Sequence, residues 1–282
     1  MITIAVLTLK EALRRRIVAV LLLLTIASVA LTGWGLERLV TLARENGAEE
    51  LQVQLGVSQV LILVAFMFSF VLAMTAAFLG APAIGGEIES GVAQSMLARP
   101  IRRADLVVGR WLGLAVVVGG YAGASGLLEI LVVRVLTGYA PPEPFLAVGF
   151  LAWEAIVILS LAVALSTRLP SMASGAVSVV LYGLAWMAGI FAGIGRLFDV
   201  GVIVEVARAS RWIFPTDALW RGVVYALEPP LVIFGAGSAG PAAEANPFYA
   251  STPPAIEFVV WTILWVAIAL GLAVLSMERR EI

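Results

Sequence analysis

VSQVLILVAFMFSFVLAMTAAFLGAPA, residues 57–83, runs for 27 positions without a charged side chain. An α-helix needs about 20 predominantly apolar residues to cross bilayer hydrocarbon. This run exceeds that length before Pro82, Gly85 and Gly86 end it. It does not alternate polar with apolar positions, so a membrane β-barrel is excluded. Working outward, comparable runs occupy about 17–36, 106–136, 145–167, 171–195 and 256–276. Over all 282 residues, 61% are hydrophobic and 13% charged, whereas a soluble domain carries about a quarter charged residues. The expected fold is an all-α integral membrane protein with six transmembrane helices, forming one membrane domain over 1–282.

The connections carry the rest of the topology. Residues 1–14 are amphipathic, with Ile4, Leu7 and Ala12 set against Thr8, Lys10, Glu11 and Arg14. They are too few to span and are expected to lie as a helix in the membrane interface. Arg14, Arg15 and Arg16 followed by an apolar run and Ser28-Val29-Ala30 resemble a signal peptide. The run continues to Leu36, however, and reads as an uncleaved first span. A polar segment, 37–56, separates spans one and two. The long segment 196–254 is helix-compatible over Val200–Ile213, and Thr216 or Asp217 is placed to cap a second helix reaching about Leu227. These short external helices are expected to dip into the outer interface. Lys10, Arg14, Arg15, Arg16, Arg99, Arg102, Arg103, Arg110, Arg168, Arg279 and Arg280 fall on one side of the membrane. That side reads as cytoplasmic, which puts both termini in the cytoplasm of a plasma-membrane protein.

Exclusions follow from single residue types. Lys10 is the only lysine, and it has no glycine-rich loop before it, so a G-x-x-x-x-G-K-S/T phosphate loop is absent. Any nucleotide-driven work must come from another polypeptide. Cysteine and histidine are both absent, which removes thiol chemistry, disulfides and the commonest metal ligand and acid–base catalyst. The chain is expected to bind no cofactor and no nucleic acid.

The most charged stretch is cytoplasmic, between spans two and three, at 85–105. Ile88, Val92, Ser95 and Met96 share one face of a short helix, and Arg99 with Pro100 stops it. Arg102 and Arg103 precede Asp105, a candidate cap for span three. Charges of both signs at the base of two spans suit a docking surface for a soluble partner; snorkelling positive-inside arginines account for the same pattern.

Two acids lie inside spans, Glu129 in span three and Glu154 in span four. An ionisable group at such depth faces a cavity or a partner, which makes them candidates for a substrate path or dimer seam, or for a structural hydrogen bond. Arg134 does not serve Glu129, since five residues on one helix stand about 140° apart. Taken as an acid–base pair, the two carboxylates leave a membrane enzyme as a poorer reading, with no nucleophile beside them. Gly109, Gly113, Gly119, Gly123 and Gly126, with Gly189 and Gly193, permit close helix contact. Trp34, Trp111, Trp261 and Trp265 are expected as interfacial anchors.

The segment GEIESGVAQSMLARPIRRADLVVGRW, residues 86–111, resembles the connection between spans two and three of ABC-2 type permeases, the membrane halves of one class of ABC transporter. TLKEALRRRI (8–17) is similar to their amphipathic N-terminal helix. FPTDALWRG (214–222) and MERREI (277–282) resemble the subgroup named for multicopper enzyme maturation, which accompanies nitrous oxide reductase assembly. The resemblance implies a coupling helix at Glu87, Ile88, Glu89, Gly91, Gln94 and Leu97, resting in an ATPase cleft and flanked by Arg99, Arg102 and Arg103. It implies two ATPase copies carrying ATP and Mg, and a second copy of this chain in a homodimer. An extracytoplasmic partner would meet 196–254. A non-transporting anchor that drives such a partner is the alternative to a transporter.

Overall fold

The computed structural model describes residues 1–14, 16–91, 102–236, 243 and 245–280. Its regular elements are helices: α1 (Ile2–Arg14), α2 (Arg16–Glu45), α3 (Glu50–Gly80), α4 (Gly85–Glu89), α5 (Arg103–Thr137), α6 (Pro144–Ser166), α7 (Ser171–Leu197), α8 (Gly201–Ile213), α9 (Thr216–Leu227), α10 (Pro230–Ala236) and α11 (Ile256–Glu278). Six of them, α2, α3, α5, α6, α7 and α11, are long and apolar enough to cross a membrane, so the chain is a multi-pass membrane protein. Below, the inner end is the one that the arginine pattern assigns to the cytoplasm.

The central strut is α6. It is the most enclosed of the six spans, and α3, α5, α7, α9 and α11 all touch it. Close approach is built from small residues: at Gly80 an added Cβ would stand 3.0 Å from Ala162 and Leu159 of α6, and at Gly126 it would stand 3.1 Å from Val148. By contrast α2 and α11 lie at the periphery and turn wide apolar faces outward, as expected where lipid is the solvent.

Three expectations are corrected. The helices of the first two spans reach well into the polar segment 37–56: α2 continues to Glu45 and α3 begins at Glu50, leaving a short turn closed at Gly47 with φ +78°. Polar residues do not stop a helix that has left the hydrocarbon; the left-handed glycine does. Leu7 is exposed, whereas Ala12 is buried and Ile4 packs against the core as read, and Thr8 is buried beside them. Arg102 stands at the cap position of α5, while Asp105 lies in its first turn, 3.6 Å from the N-terminal amine.

The segment after α7 also goes deeper than the interface. The chain turns at Asp199 (φ 54°) with Val200 N donating to Gly195 O at 2.8 Å, and α8 runs back along α7. Then α9 returns outward against α6, its Ala226 carbonyl accepting from Glu143 N at 3.1 Å. Leu219, Trp220, Val223 and Val224 of α9 are all buried. From Ala226 back to Asp217 the helix descends about 14 Å at 1.5 Å per residue, nearly half of a roughly 30 Å hydrocarbon core. The pair α8–α9 is thus a re-entrant hairpin, tolerated at depth because protein surrounds it.

Trp261 and Trp265 explain how its tip is satisfied. Their indole N–H groups donate to the carbonyls of Trp212 (3.1 Å) and Ile213 (2.7 Å) at the end of α8. They were expected only as interfacial anchors; here they pair carbonyls that a helix end leaves open. Trp220 is held in turn by Phe66 and Phe248, with Trp186 packed on the same Phe66, and donates to Pro247 O at 3.0 Å.

Candidate functional site

At the inner end, α3 turns at Pro82 into α4, and two glycines let α4 lie against its neighbours. A Cβ at Gly85 would stand 3.2 Å from Ser166 O and Ser171 Oγ, in the turn joining α6 to α7. Gly91, with φ +73°, ends the helix in the left-handed conformation that glycine adopts without cost. The two carboxylates of α4 then point to different partners.

Glu87 is buried and ion-paired with Arg110 of α5, which also pairs with Glu11 of α1 at 2.8 Å. The guanidinium therefore ties three elements, and its 16% side-chain exposure places the charge where water screens it little. Glu89 accepts from Ser171 N at 2.7 Å and from Ser171 Oγ at 3.3 Å. It caps the N-terminus of α7, where a negative charge is favoured by open N–H groups and by the helix dipole. Ile88 packs against the core. A cavity of about 400 Å³ lies beside this junction, lined by Thr8, Glu11, Gly86, Glu87, Ser90 and Arg110 among others.

Helix α1 is seated on α5 by two glycines. A Cβ at Gly109 would come within 2.9 Å of Met1 O and Ile4, and at Gly113 within 2.6 Å of Ala5 O. Gly109 and Gly113, read from sequence as a small-residue face, thus serve a contact within the chain. Arg103 donates to the carbonyls of Met277 (2.6 Å), Glu278 (3.2 Å) and Arg280 (2.6 Å). Arg168 binds Ser276 Oγ at 2.7 Å, and Arg280 reaches Thr167 O. These arginines hold the C-terminal end of α11, whose open carbonyls and negative dipole favour cations. Arg102 is exposed. Gln94, Leu97 and Arg99 lie outside the described residues.

The membrane acids are not brought together. Glu154 is buried in the bundle and accepts from Ser69 Oγ of α3 at 2.8 Å, and Ser69 shares a 2.9 Å hydrogen bond with Tyr182 of α7. Glu129 faces Thr32 of α2 instead, beside a small cavity lined by Thr25, Ser28 and Ser125. One acid serves the α3–α6–α7 interface and the other the α2–α5 interface.

Missed from sequence were Glu11, Arg110 and Ser171 as the partners of α4. The charges of Glu11 and Arg110 were visible, but nothing in their spacing pairs residues 76 and 23 positions from Glu87.

A family model described as ABC-2 family transporter protein matches residues 2–282. No curated protein matches the chain.

Proposed function

The chain belongs to the ABC-2 transporter family, and from that membership we propose that it is the permease subunit through which a separate ATPase drives substrate across or out of the membrane. The ATPase, in two copies with ATP and Mg, would bind the segment from α4 through 101, with Gln94, Leu97, Arg99 and Arg102 in contact. A second copy of this chain would complete the transporter, in a plasma membrane with both termini cytoplasmic. In this arrangement α1 lies in the inner interface.

The observation that carries this reading is the fixation of α4. Glu87 and Glu89 are engaged by α1, α5 and α7, so they act as transmission struts behind the docking face. A partner that prefers one position of α4 biases three helices together, and its open and closed states supply the differential binding energy. The likeness of 214–222 and 277–282 supports placing the chain with the multicopper-maturation permeases. Without histidine or cysteine, its part there is to move or drive a partner. The re-entrant hairpin packs on α7, the span that Glu89 also engages, and this favours the anchor alternative in one respect: motion at α4 would also reach the outer surface.

Affinity purification of the tagged chain from its native host tests the proposal. A stoichiometric ATPase with a phosphate-binding loop is expected in mild detergent. Arg102→Ala should weaken its retention, and Glu89→Gln should retain it while lowering substrate-stimulated ATP hydrolysis in liposomes. If no ATPase is recovered with the wild type in several detergents, the permease reading fails. An ATPase that hydrolyses without moving any substrate favours the anchor.

A further inference from the structure

Where α6 meets α11, a stripe of side chains from each helix lines one groove of about 560 Å³. On α6 the stripe is Leu161, Ala164 and Leu165, and Arg168 continues the spacing just past the helix end. On α11 it runs from Trp265 through Ile268, Leu272 and Leu275 to Arg279. Both follow the three-and-four spacing of one helix face. Small residues set the depth, with Ala164 partly buried and Ala269 buried, while Ile268, Leu272 and Leu275 are exposed along the rim. Each stripe ends in an arginine at the inner end.

The length of the groove matches one leaflet. From Trp265 to Arg279 α11 rises about 21 Å at 1.5 Å per residue, and half of a bilayer with its headgroups is about 20–22 Å. The deep end is fixed, because the Trp265 indole donates to Ile213 O at 2.7 Å at the hairpin tip. Spread over about 21 Å, the volume gives a section of about 27 Å². A helix 10 Å across fills about 80 Å², so the groove takes an extended chain and not a helix.

The mouth is cationic. Arg168 donates from Nε to Ser276 Oγ at 2.7 Å and from Nη2 to Ser276 O at 3.3 Å. Ser276 stands one turn before Arg279 on the same face, which brings both guanidiniums to one opening. Both arginines are exposed, and among the described residues neither has a carboxylate partner. Glu278, beside Arg279 in sequence, does not line the groove. Snorkelling accounts for positive charge at this level, but not for an apolar groove one leaflet long beneath it. The guanidinium fork matches phosphate oxygens, and basic pockets between spans on the cytoplasmic side suit anionic lipid headgroups.

We propose that this groove is a site for one anionic phospholipid. Arg168 and Arg279 hold its phosphate, and an acyl chain lies over Ala164 and Ala269 as far as Trp265. The lipid belongs to the inner leaflet under the orientation proposed above; its chemistry does not depend on that orientation. Bound there it bridges the central strut to a peripheral span, so occupancy stabilises the fold by mass action.

The test uses the full chain, purified in maltoside detergent and freed of lipid. It is titrated with dioleoyl phosphatidylglycerol or with dioleoyl phosphatidylcholine, which has the same chains and no net charge. Melting temperature and native mass spectra are recorded at each step. Phosphatidylglycerol should be retained at one per chain and raise the melting temperature saturably, at about tenfold lower concentration than phosphatidylcholine. Arg279→Gln should weaken the phosphatidylglycerol response about tenfold, the worth of one hydrogen bond to a charged group, and leave phosphatidylcholine nearly unchanged. Arg279→Lys should restore part of the loss. Ala164→Leu fills the floor of the groove and should weaken both lipids; should it misfold, Arg279→Gln, at an exposed position, carries the test alone. Equal responses to the two lipids, or undiminished phosphatidylglycerol binding in Arg279→Gln, would overturn the proposal. So would a dimer that retains no lipid and that Ala164→Leu dissociates, since a second copy would then cover the groove.

Discussion

Replacing Gly113 by alanine tests whether α1 is part of the bundle. The new methyl would sit 2.6 Å from Ala5 O and 2.7 Å from Thr8 Cβ, and the first of these is backbone that no rotamer change can move. Helix α1 must withdraw until the contact passes 3.0 Å, which strains the 2.8 Å pair between Glu11 and Arg110 one turn away. Overpacking of this kind costs about 1–3 kcal/mol, and replacing an interior helix glycine by alanine returns up to about 1 kcal/mol. Gly120 isolates the second effect, because an added Cβ there meets nothing within 4 Å on the same helix. The propensity gain cancels between the two variants, so Gly113→Ala should be less stable than Gly120→Ala by about 1–3 kcal/mol. Thermal unfolding in detergent measures this difference. Trypsin cleavage at Lys10 and Arg14 should quicken in Gly113→Ala alone. Equal melting and equal cleavage of the two variants would refute the seating of α1 on α5.

Other consequences follow from single contacts. Arg110→Gln leaves the buried Glu87 carboxylate without its cation and should cost about 3–5 kcal/mol, most of it recovered by adding Glu87→Gln; a double-mutant cycle in chemical unfolding reads this. Burial pushes the Glu228 carboxyl up to about 7, while the N–H of Ala250 at 3.2 Å pulls the other way. Between pH 4.5 and about 7 the folded chain then holds more protons at this site than the unfolded chain. Its contribution to stability therefore falls as pH rises through that window. Glu228→Gln should remove that slope from the melting-versus-pH curve, and identical curves would count against it. Trp265→Phe keeps the ring but strands the Ile213 carbonyl at the hairpin tip; a loss of about 1–3 kcal/mol is expected, against little change for Phe substituted at the exposed Trp34.

The spans were legible because a run of apolar residues long enough to cross hydrocarbon has no competing explanation. Their ends were less so. Residues 37–56 read as a polar segment between spans from their charge, although the helices run on to Glu45 and restart at Glu50 around Asn46 and Gly47. The depth of α9 was hidden for a different reason. Asp217 and Arg221 make its sequence look interfacial, and only tertiary pairing with Arg211 lets the segment sink among α3, α6 and α7. The same limit applied at the inner end, where Glu87 and Glu89 stood out by charge. Their partners Arg110, Glu11 and Ser171 come from three other helices, and no periodicity brings those together.

The two charged centres meet on α7. Glu89 caps its first residue, and Asp217 rests on Gly189, 18 residues further along the same uninterrupted helix. At 1.5 Å per residue that is about 27 Å of rigid rod, with α6 packed along it. A packed core transmits displacement because it has no slack to absorb it. A tilt imposed at Ser171 must therefore be answered either at the hairpin tip or by bending α7, and the sequence between contains no proline to bend it. That argument makes the hairpin the element whose position reports what happens at α4. It also explains why a re-entrant segment carries an ion pair at depth: apolar packing alone would let the tip slide along α7, whereas Asp217, seated on a glycine between Arg211 and Arg221, fixes its register.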